Sequence, residues 1–380
     1  MLLTTCSYIP LEIPLALGIP ARRLIAKPAG PQADPYLPRD FCPYARGVLS
    51  QVSADEASRA HLGVAVAGSC DAMRRVYDAL RHYAPGIRSY YLDVPRTQDQ
   101  DAVSYYAGVL RSFARELAAG YPGAPPEKEW PERLRQAAEE LNFLRRALLT
   151  AYPTAEPVPN SSGSGEKPLR ACATVTEWVE LCLALNEALA LPGPSRPHRL
   201  QAVEAVLRQR TAPAALRGPA VLLTGSFLLD ATVPAAIEAT GFSIAAVDSC
   251  LGWRSLKVML PEAEGDIFSR LAAAYLRKPP CPRLLVREAR RRWLDALLFT
   301  EGKAAKVDGV VYFVPKFCDH GYYESVDVKD RLSEYGLPFL LLEGEYGAGL
   351  TAQTRTRLAA FRELLEERRR AQGALEAKEE

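Results

Sequence analysis

The 380-residue sequence has no CxxC pair, no unbroken apolar run near ~20 residues and almost no net charge. The missing CxxC spacing argues against both a zinc ribbon and a thioredoxin-type motif. The formal net charge is only +2, from 47 Lys and Arg against 45 Asp and Glu, so nothing in it indicates nucleic acid or an anionic membrane as a partner. No GxGxxG follows a predicted strand, and the nearest candidate, Gly344 to Gly349, has the wrong spacing. A nicotinamide-dependent enzyme is therefore disfavoured.

The first residues are apolar but carry no basic segment, and Pro10, Pro14 and Pro20 interrupt them. They therefore predict neither a signal peptide nor a membrane helix, and we expect a cytoplasmic protein. The eight cysteines are scattered through a chain far larger than disulfide-dense secreted scaffolds. In a reducing compartment, buried structural thiols are their default interpretation.

Short runs rich in Val, Ile, Leu and Tyr alternate with helical patterns, which predicts a parallel α/β fold. Strands are predicted at 2–5, 23–26, 63–67, 89–93, 220–224, 243–247, 309–314 and 338–342. Helices are predicted to begin near Cys42 and Asp71 and to occupy 99–149, 173–190, 199–210, 265–276, 283–299, 322–334 and 353–370. Turn formers dominate residues 153–168, which predicts a linker there.

These elements predict two Rossmann-like (flavodoxin-like) parallel-sheet lobes with a helical insert. The expected division is an N-terminal lobe with its following helices over 1–150, a linker over 151–168, a C-terminal lobe over 169–373 and a disordered tail over 374–380. Both halves contain hydrophobic strands that end in a polar, cysteine-containing turn. This shared plan predicts that the lobes face a common cleft.

Ligands of open α/β sheets bind beyond the carboxyl ends of the strands, and three predicted strands deliver a cysteine there: Cys70, Cys250 and Cys318. Cys70 and Cys42 also precede residues that favour the start of a helix, where a thiol pKa is lowered and anionic ligands are stabilised. The residues alone leave two interpretations open. The thiols are metal ligands, or they are small side chains packed at strand ends, and the long spacings favour packing.

Several segments resemble the family that contains the 2-hydroxyacyl-CoA dehydratases and the benzoyl-CoA reductase cluster subunits. GSCDAMRRVY at 68–77 resembles its helix-opening motif, YLPRDFCPY at 36–44 its first cysteine motif, and KFCD at 316–319 its third. Other stretches match in the same order, at 6–13, 92–96, 223–226, 248–254 and 353–357. The resemblance covers nearly the whole chain, although the helical N-terminal extension of many members does not precede the first strand.

The resemblance implies an oxygen-sensitive subunit with a [4Fe-4S] cluster in the inter-lobe cleft, bound by Cys42, Cys70 and Cys318, with one iron open to water or a substrate oxygen. A separate activating protein uses ATP to pass one low-potential electron to the cluster. The cluster then reduces a thioester carbonyl to a ketyl radical, which expels the neighbouring hydroxyl group. The implied partners are a CoA-thioester substrate, the ATP-dependent activator and a related second subunit in a heterodimer or homodimer, with neither nucleic acid nor membrane.

Other residues carry weaker expectations. Ser7 and Glu12 follow the first strand in a family-like segment and are candidate catalytic residues, with Glu12 as a base or simply an exposed carboxylate at a helix N-terminus. Cys250 and Cys281 are expected to be structural. Cys172 and Cys182 are expected in the core, and His320 either tunes the cluster or lies in a surface turn.

Three alternative functions stay open. The first is a benzoyl-CoA reductase-like subunit. The second is a double-cubane-cluster reductase, which is disfavoured because residues 43–69 contain no additional cysteine near the first pair. The third is a cluster-free scaffolding or binding subunit, which iron content separates from the redox functions.

Overall fold

The computed structural model describes two parallel sheets and the helices around them, over residues 1–54, 63–153, 172–191, 198–199, 201, 205, 218–226, 230–261, 263–283, 287–299, 307–345, 347 and 349–379. The first sheet contains β1 (Leu2–Thr4), β2 (Ala21–Arg23), β3 (Gly63–Ala67) and β4 (Arg88–Leu92) in the order β2-β1-β3-β4. The second contains β5 (Ala220–Gly225), β6 (Ser243–Val247), β7 (Gly309–Pro315) and β8 (Phe339–Gly344) in the order β6-β5-β7-β8. All neighbouring strands are parallel. The prediction of two parallel-sheet lobes is therefore confirmed.

Twelve α-helices in the described part of the chain are numbered α1 to α12 in order: Glu12–Ala16, Pro43–Ala54, Asp71–Tyr83, Gln100–Gly120, Trp130–Thr150, Val175–Ala188, Thr232–Ala239, Trp253–Leu256, Ile267–Arg277, Arg287–Leu298, Asp319–Glu334 and Ala352–Glu379. Every residue of the central strands β3 and β7 is buried, because helices cover both faces of a parallel sheet. None of the described helices combines the length and apolar character needed to cross a bilayer.

The structure differs from the predicted elements in four places. The helical stretch predicted over 99–149 is two helices, α4 and α5, because the intervening residues 121–126 contain a glycine and three prolines. Strand β2 begins and ends earlier in the chain than the predicted 23–26. Helix α12 continues to Glu379 and so includes most of the segment expected to be disordered. The predicted linker and the helix predicted at 199–210 lie largely outside the described residues.

The two halves of the chain share apolar cores. Helix α9, from the second half, packs along α4 from the first, and Leu271 and Phe113 lie in the same buried cluster. The Gln98 side chain donates a hydrogen bond to the Leu276 carbonyl at 2.6 Å across this contact. This packing fixes the first sheet relative to the segment that follows α9, which reaches the site described below.

Gly225 ends β5 at a point where the backbone approaches β7 too closely for any side chain. Its φ is +146°, and a Cβ atom there would lie 1.9 Å from the Phe313 carbonyl oxygen. Gly225→Ala is therefore expected to lower the stability by about 2 kcal/mol or more, measured as a drop in Tm. Gly86→Ala is the control, because a Cβ at Gly86 has no heavy atom within 4 Å. Equal Tm values for the two variants would contradict this reading of the strand end.

Candidate functional site

A cavity of about 130 Å³ lies where the carboxyl ends of the two sheets meet. Turns after β1, β3, β5, β6 and β7 contribute to its wall, together with the start of α2 and the segment between α9 and α10. Six of the chain's eight cysteines line it, namely Cys6, Cys42, Cys70, Cys250, Cys281 and Cys318. None of the eight cysteines, all of which lie in the described residues, forms a disulfide. The cavity therefore concentrates thiols that are scattered through the sequence.

The three cysteines predicted as ligands come together here. Cys42 directly precedes α2, whereas Cys70 and Cys318 are the N-cap residues of α3 and α11. We call Cys42, Cys70 and Cys318 the outer thiols. Cys42 and Cys70 approach from the first lobe and Cys318 from the second, so only the assembled cleft can bring them together.

Three further thiols, the inner thiols Cys6, Cys250 and Cys281, share the cavity. Cys250 and Cys281 are close enough for a thiol–thiol hydrogen bond. The sequence interpretation assigned both to a structural role and missed that they face the same space as the outer thiols. Two signals pointed to them: Cys250 follows a strand like Cys70, and Cys281 precedes a proline as Cys42 does.

The inner thiols lie beside cationic side chains. Arg283 donates through Nε to Cys281 Sγ and through Nη2 to Cys6 Sγ, both at 3.4 Å. Arg23 Nη1 donates to the Cys250 carbonyl oxygen at 2.8 Å. Guanidinium groups stabilise thiolates, so this end of the cavity favours negative charge on sulfur.

The pKa values of the thiols follow this division except at Cys250, where the hydrogen bond to Cys281 and burial raise the pKa. Burial raises the pKa of Cys42 to about 12, and burial also raises the pKa values of Cys70 and Cys318. At Cys42 and Cys70, desolvation therefore outweighs the lowering of the pKa that was predicted from their helix N-termini. For Cys6, burial alone would raise the pKa, but Arg283 and nearby cations bring it below its usual value. The hydrogen bond from Cys250, opposed by burial and aided by Arg283, lowers the pKa of Cys281.

Phe317, next to Cys318, has a strained backbone. Its φ of 61° makes it the only non-glycine residue with positive φ in the described part of the chain. Bulky residues avoid this region, and such strain is concentrated at functional sites. The turn brings both the Phe317 ring and the Cys318 thiol to the cavity wall.

The two candidate catalytic residues lie in different places. Ser7 lines the cavity, and its hydroxyl and carbonyl oxygens accept hydrogen bonds from Lys278 Nζ at 2.6 and 2.9 Å. Burial lowers the pKa of Lys278 to about 7. Glu12 does not line the cavity and is fully buried, not exposed; its carboxylate accepts from Arg145 at 2.8 Å and from the Tyr275 hydroxyl at 2.6 Å. Both of its oxygens are thus occupied, and a role as base stays a prediction.

The turns after β5 and β6 are held by a buried ion cluster centred on Asp248. Its carboxylate accepts two hydrogen bonds from Arg254, at 2.8 and 2.6 Å, and one each from Arg290 at 2.6 Å, Trp293 at 3.0 Å and Thr224 at 2.8 Å. Burial alone would raise the pKa of Asp248, but the two guanidinium groups hold it far below its usual range.

Arg254 connects this cluster to the cavity wall. It donates to the Gly225 and Ser226 carbonyl oxygens at 2.8 and 3.0 Å, and Ser226 lines the cavity. The ion cluster therefore positions the second lobe's contribution to the site.

The thiols surround the cavity instead of converging on a point. Among the described residues, no three His, Cys, Asp or Glu side chains lie close enough together to hold a single metal ion. Thiolates are soft ligands, and in an iron–sulfur cluster each binds a different iron, so the ligands stand apart by the size of the cluster. The donor set thus suits a polynuclear cluster better than a single ion.

Two parallel-sheet α/β lobes around a cysteine-lined cavity define the class of this protein. Within it, the chain belongs to the 2-hydroxyglutaryl-CoA dehydratase, D-component family, whose model matches residues 6–365. It is 25% identical over 378 residues to the putative dehydratase subunit YjiM of Escherichia coli, covering 95% of this chain and 90% of that protein. It is also 28% identical over 153 residues to the (R)-phenyllactyl-CoA dehydratase beta subunit of Clostridium sporogenes, covering 40% of each chain.

These similarities confirm the family recognised from the cysteine motifs. Both relatives are named as dehydratase subunits, which together with the family supports a subunit of a dehydratase-type, lyase-class enzyme.

Proposed function

We propose that this protein is a cytoplasmic iron–sulfur subunit of a 2-hydroxyacyl-CoA dehydratase-like enzyme, supplied with electrons by a separate ATP-dependent activator and paired with a related subunit. The observation that carries the proposal is the gathering of six thiols in one cavity at the carboxyl ends of both sheets. Family membership supports the dehydratase class. The cavity supports the redox cofactor, because soft thiolate ligands select iron–sulfur clusters.

The outer thiols Cys42, Cys70 and Cys318 are the proposed ligands of a [4Fe-4S] cluster. Such a cluster, when bound, supplies single low-potential electrons for reduction of a CoA thioester. Because burial raises the pKa values of these thiols, metal binding must displace their protons, and assembly is favoured by higher pH. The position of the cavity in the cleft between the two lobes limits the access of water to the electron transfer.

At the end of the cavity that the inner thiols line, cationic side chains favour negative charge, and Ser7 is placed to contact a substrate. Arg283 and Arg23 lie beside the inner thiols and offset the charge of thiolates in a low-dielectric region. Lys278 holds the Ser7 hydroxyl oxygen as an acceptor, which leaves the Ser7 O–H to donate to a substrate oxygen.

A second candidate function is a double-cubane-cluster reductase, and the inner thiols favour it. The sequence argument against this branch considered only residues 43–69. In the folded chain the extra thiols Cys6, Cys250 and Cys281 come from three distant segments and face the same cavity as the outer thiols. Two sets of three thiols provide three ligands for each of two cubanes.

Iron and acid-labile sulfide per chain, measured after anaerobic purification, test the proposal together with electron paramagnetic resonance after reduction. Roughly four irons and a reduced cubane signal are expected for a cluster on the outer thiols alone, and about twice that iron for a double cubane. A chain that takes up no iron after anaerobic reconstitution would overturn both and leave the scaffolding or binding function.

A further inference from the structure

A second cavity, of about 480 Å³, lies directly outside the thiol cavity. The two share the side chains of Pro282, Arg283 and His320 as a common wall. The outer cavity is further lined by Arg96, Arg287 and Arg290 and by acidic residues of α11. We call it the arginine vestibule. Its size is within the roughly 300–1,000 Å³ typical of small-molecule sites.

The vestibule has three carboxylates, and two of them already form ion pairs with arginines. Glu324 accepts from Arg290 at 2.6 Å and from the Tyr312 hydroxyl at 2.6 Å. Asp327 forms a 2.5 Å ion pair with Arg291. Of the vestibule's carboxylates, only the exposed Asp330 forms no ion pair with a described residue.

Three cations are left for a ligand. Arg287 is exposed and forms no ion pair within the described part of the chain. Arg96 approaches its carboxylate neighbour, Asp71, only to 4.0 Å. Arg283 uses Nε and Nη2 for the inner thiols, while its Nη1 has no hydrogen bond to a described residue. The vestibule therefore has a positive surplus next to the thiol cavity.

We propose that the arginine vestibule binds an oxyanion of the substrate, a phosphate or carboxylate group, through Arg96, Arg283 and Arg287. Guanidinium groups bind both anions through paired hydrogen bonds, which fixes orientation as well as affinity. Because Arg283 contacts the inner thiols and also lines the vestibule, an anion bound there holds the rest of the substrate at the opening of the thiol cavity. That the bound anion belongs to the substrate rests on the proposed function, whereas the anion site itself does not.

Isothermal titration calorimetry on the full-length chain tests the site with three probes: inorganic diphosphate, coenzyme A and succinate. Arg287→Gln and Arg96→Gln are each expected to weaken binding of the preferred probe about tenfold, because each removes a charge-assisted hydrogen bond. The matched control is Arg292→Gln, an exposed arginine on the same helix whose nearest carboxylate is Glu288, at 3.9 Å. It is expected to bind like the wild type.

Binding of diphosphate and coenzyme A but not succinate would identify the phosphates of a coenzyme as the source of the anion. Binding of succinate alone would identify a free carboxylic acid. The inference is overturned if the wild type binds none of the three, or if Arg292→Gln weakens binding as much as Arg287→Gln. The titration needs no iron, so its failure would leave the cluster proposal standing, and an iron-free chain could still show the anion site.

Discussion

Cys42→Ser, Cys70→Ser and Cys318→Ser are each expected to lower the iron content of the anaerobically purified chain sharply. Removing a residue that only hydrogen-bonds to a metal ligand already weakens metal binding roughly 10–100-fold, and removing a thiolate ligand itself weakens it more. A serine hydroxyl does not replace it, because the hard oxygen stays protonated near neutral pH. Iron and sulfide analysis, with circular dichroism to confirm folding, measures the effect.

Cys172→Ser is the matched control. Cys172 is buried, as Cys42 is, but it lies in the apolar core and not in the cavity wall. We expect it to keep its iron. Full iron retention in all three outer-thiol variants would overturn the assignment of the ligands.

The inner thiols make the same experiment more informative. If Cys6→Ser, Cys250→Ser and Cys281→Ser keep the wild-type iron content, the cluster is a single cubane on the outer thiols. If each of the three loses about half of the iron, the six-thiol arrangement holds a double cubane, as the shared cavity favours.

Asp248→Asn is expected to destabilise the second lobe by roughly 3–5 kcal/mol, seen as a lower Tm at pH 7. The substitution leaves the buried guanidinium groups of Arg254 and Arg290 without their shared counter-charge. Asp78→Asn is the control, because Asp78 is exposed and its ion pair with Arg75, three residues before it, is worth at most about 1 kcal/mol.

The Asp248 cluster also predicts an acid dependence of stability. Its folded pKa lies well below the unfolded value of about 3.9, so its stabilisation is fully present above that value and is lost as the pH falls further towards the folded pKa. The Tm difference between wild type and Asp248→Asn should therefore shrink below about pH 4. A difference that stays constant down to pH 2 would show that the carboxylate charge is not what stabilises the lobe.

The strands were the most predictable part of the fold. β3 and β6 have the predicted bounds because each is a short apolar run, and the turn formers on either side fix where the strand begins and ends. β2 was displaced because its sequence, Ala21 to Arg23, carries two arginines and no strand pattern. Its position depends on pairing with β1 and on the hydrogen bonds between Arg23 and Asn186, which no local pattern contains.

The outer thiols could be singled out from the sequence because each stands in a short segment that resembles a cysteine motif of the family. Cys250 and Cys281 have similar local positions, but no local signal shows that the three inner thiols share one cavity with the outer thiols. Cys6 and Cys281 are separated by most of the chain, and Arg283 contacts both of them. Such a contact depends on how α9 packs against α4, and side-chain packing between distant segments leaves no periodic signal in a sequence.

The sequence by itself determined the parallel α/β class and the family, and it predicted the outer thiols as ligands, because hydrophobic periodicity and short motifs act over a few residues. The tertiary structure decided which thiols share one cavity, which carboxylates are already paired, and where cations are left over. Burial illustrates the difference for Cys42, whose pKa a helix N-terminus alone would lower but which desolvation raises to about 12. Burial and charge neighbours are properties of the packed chain, and only the folded structure supplies them.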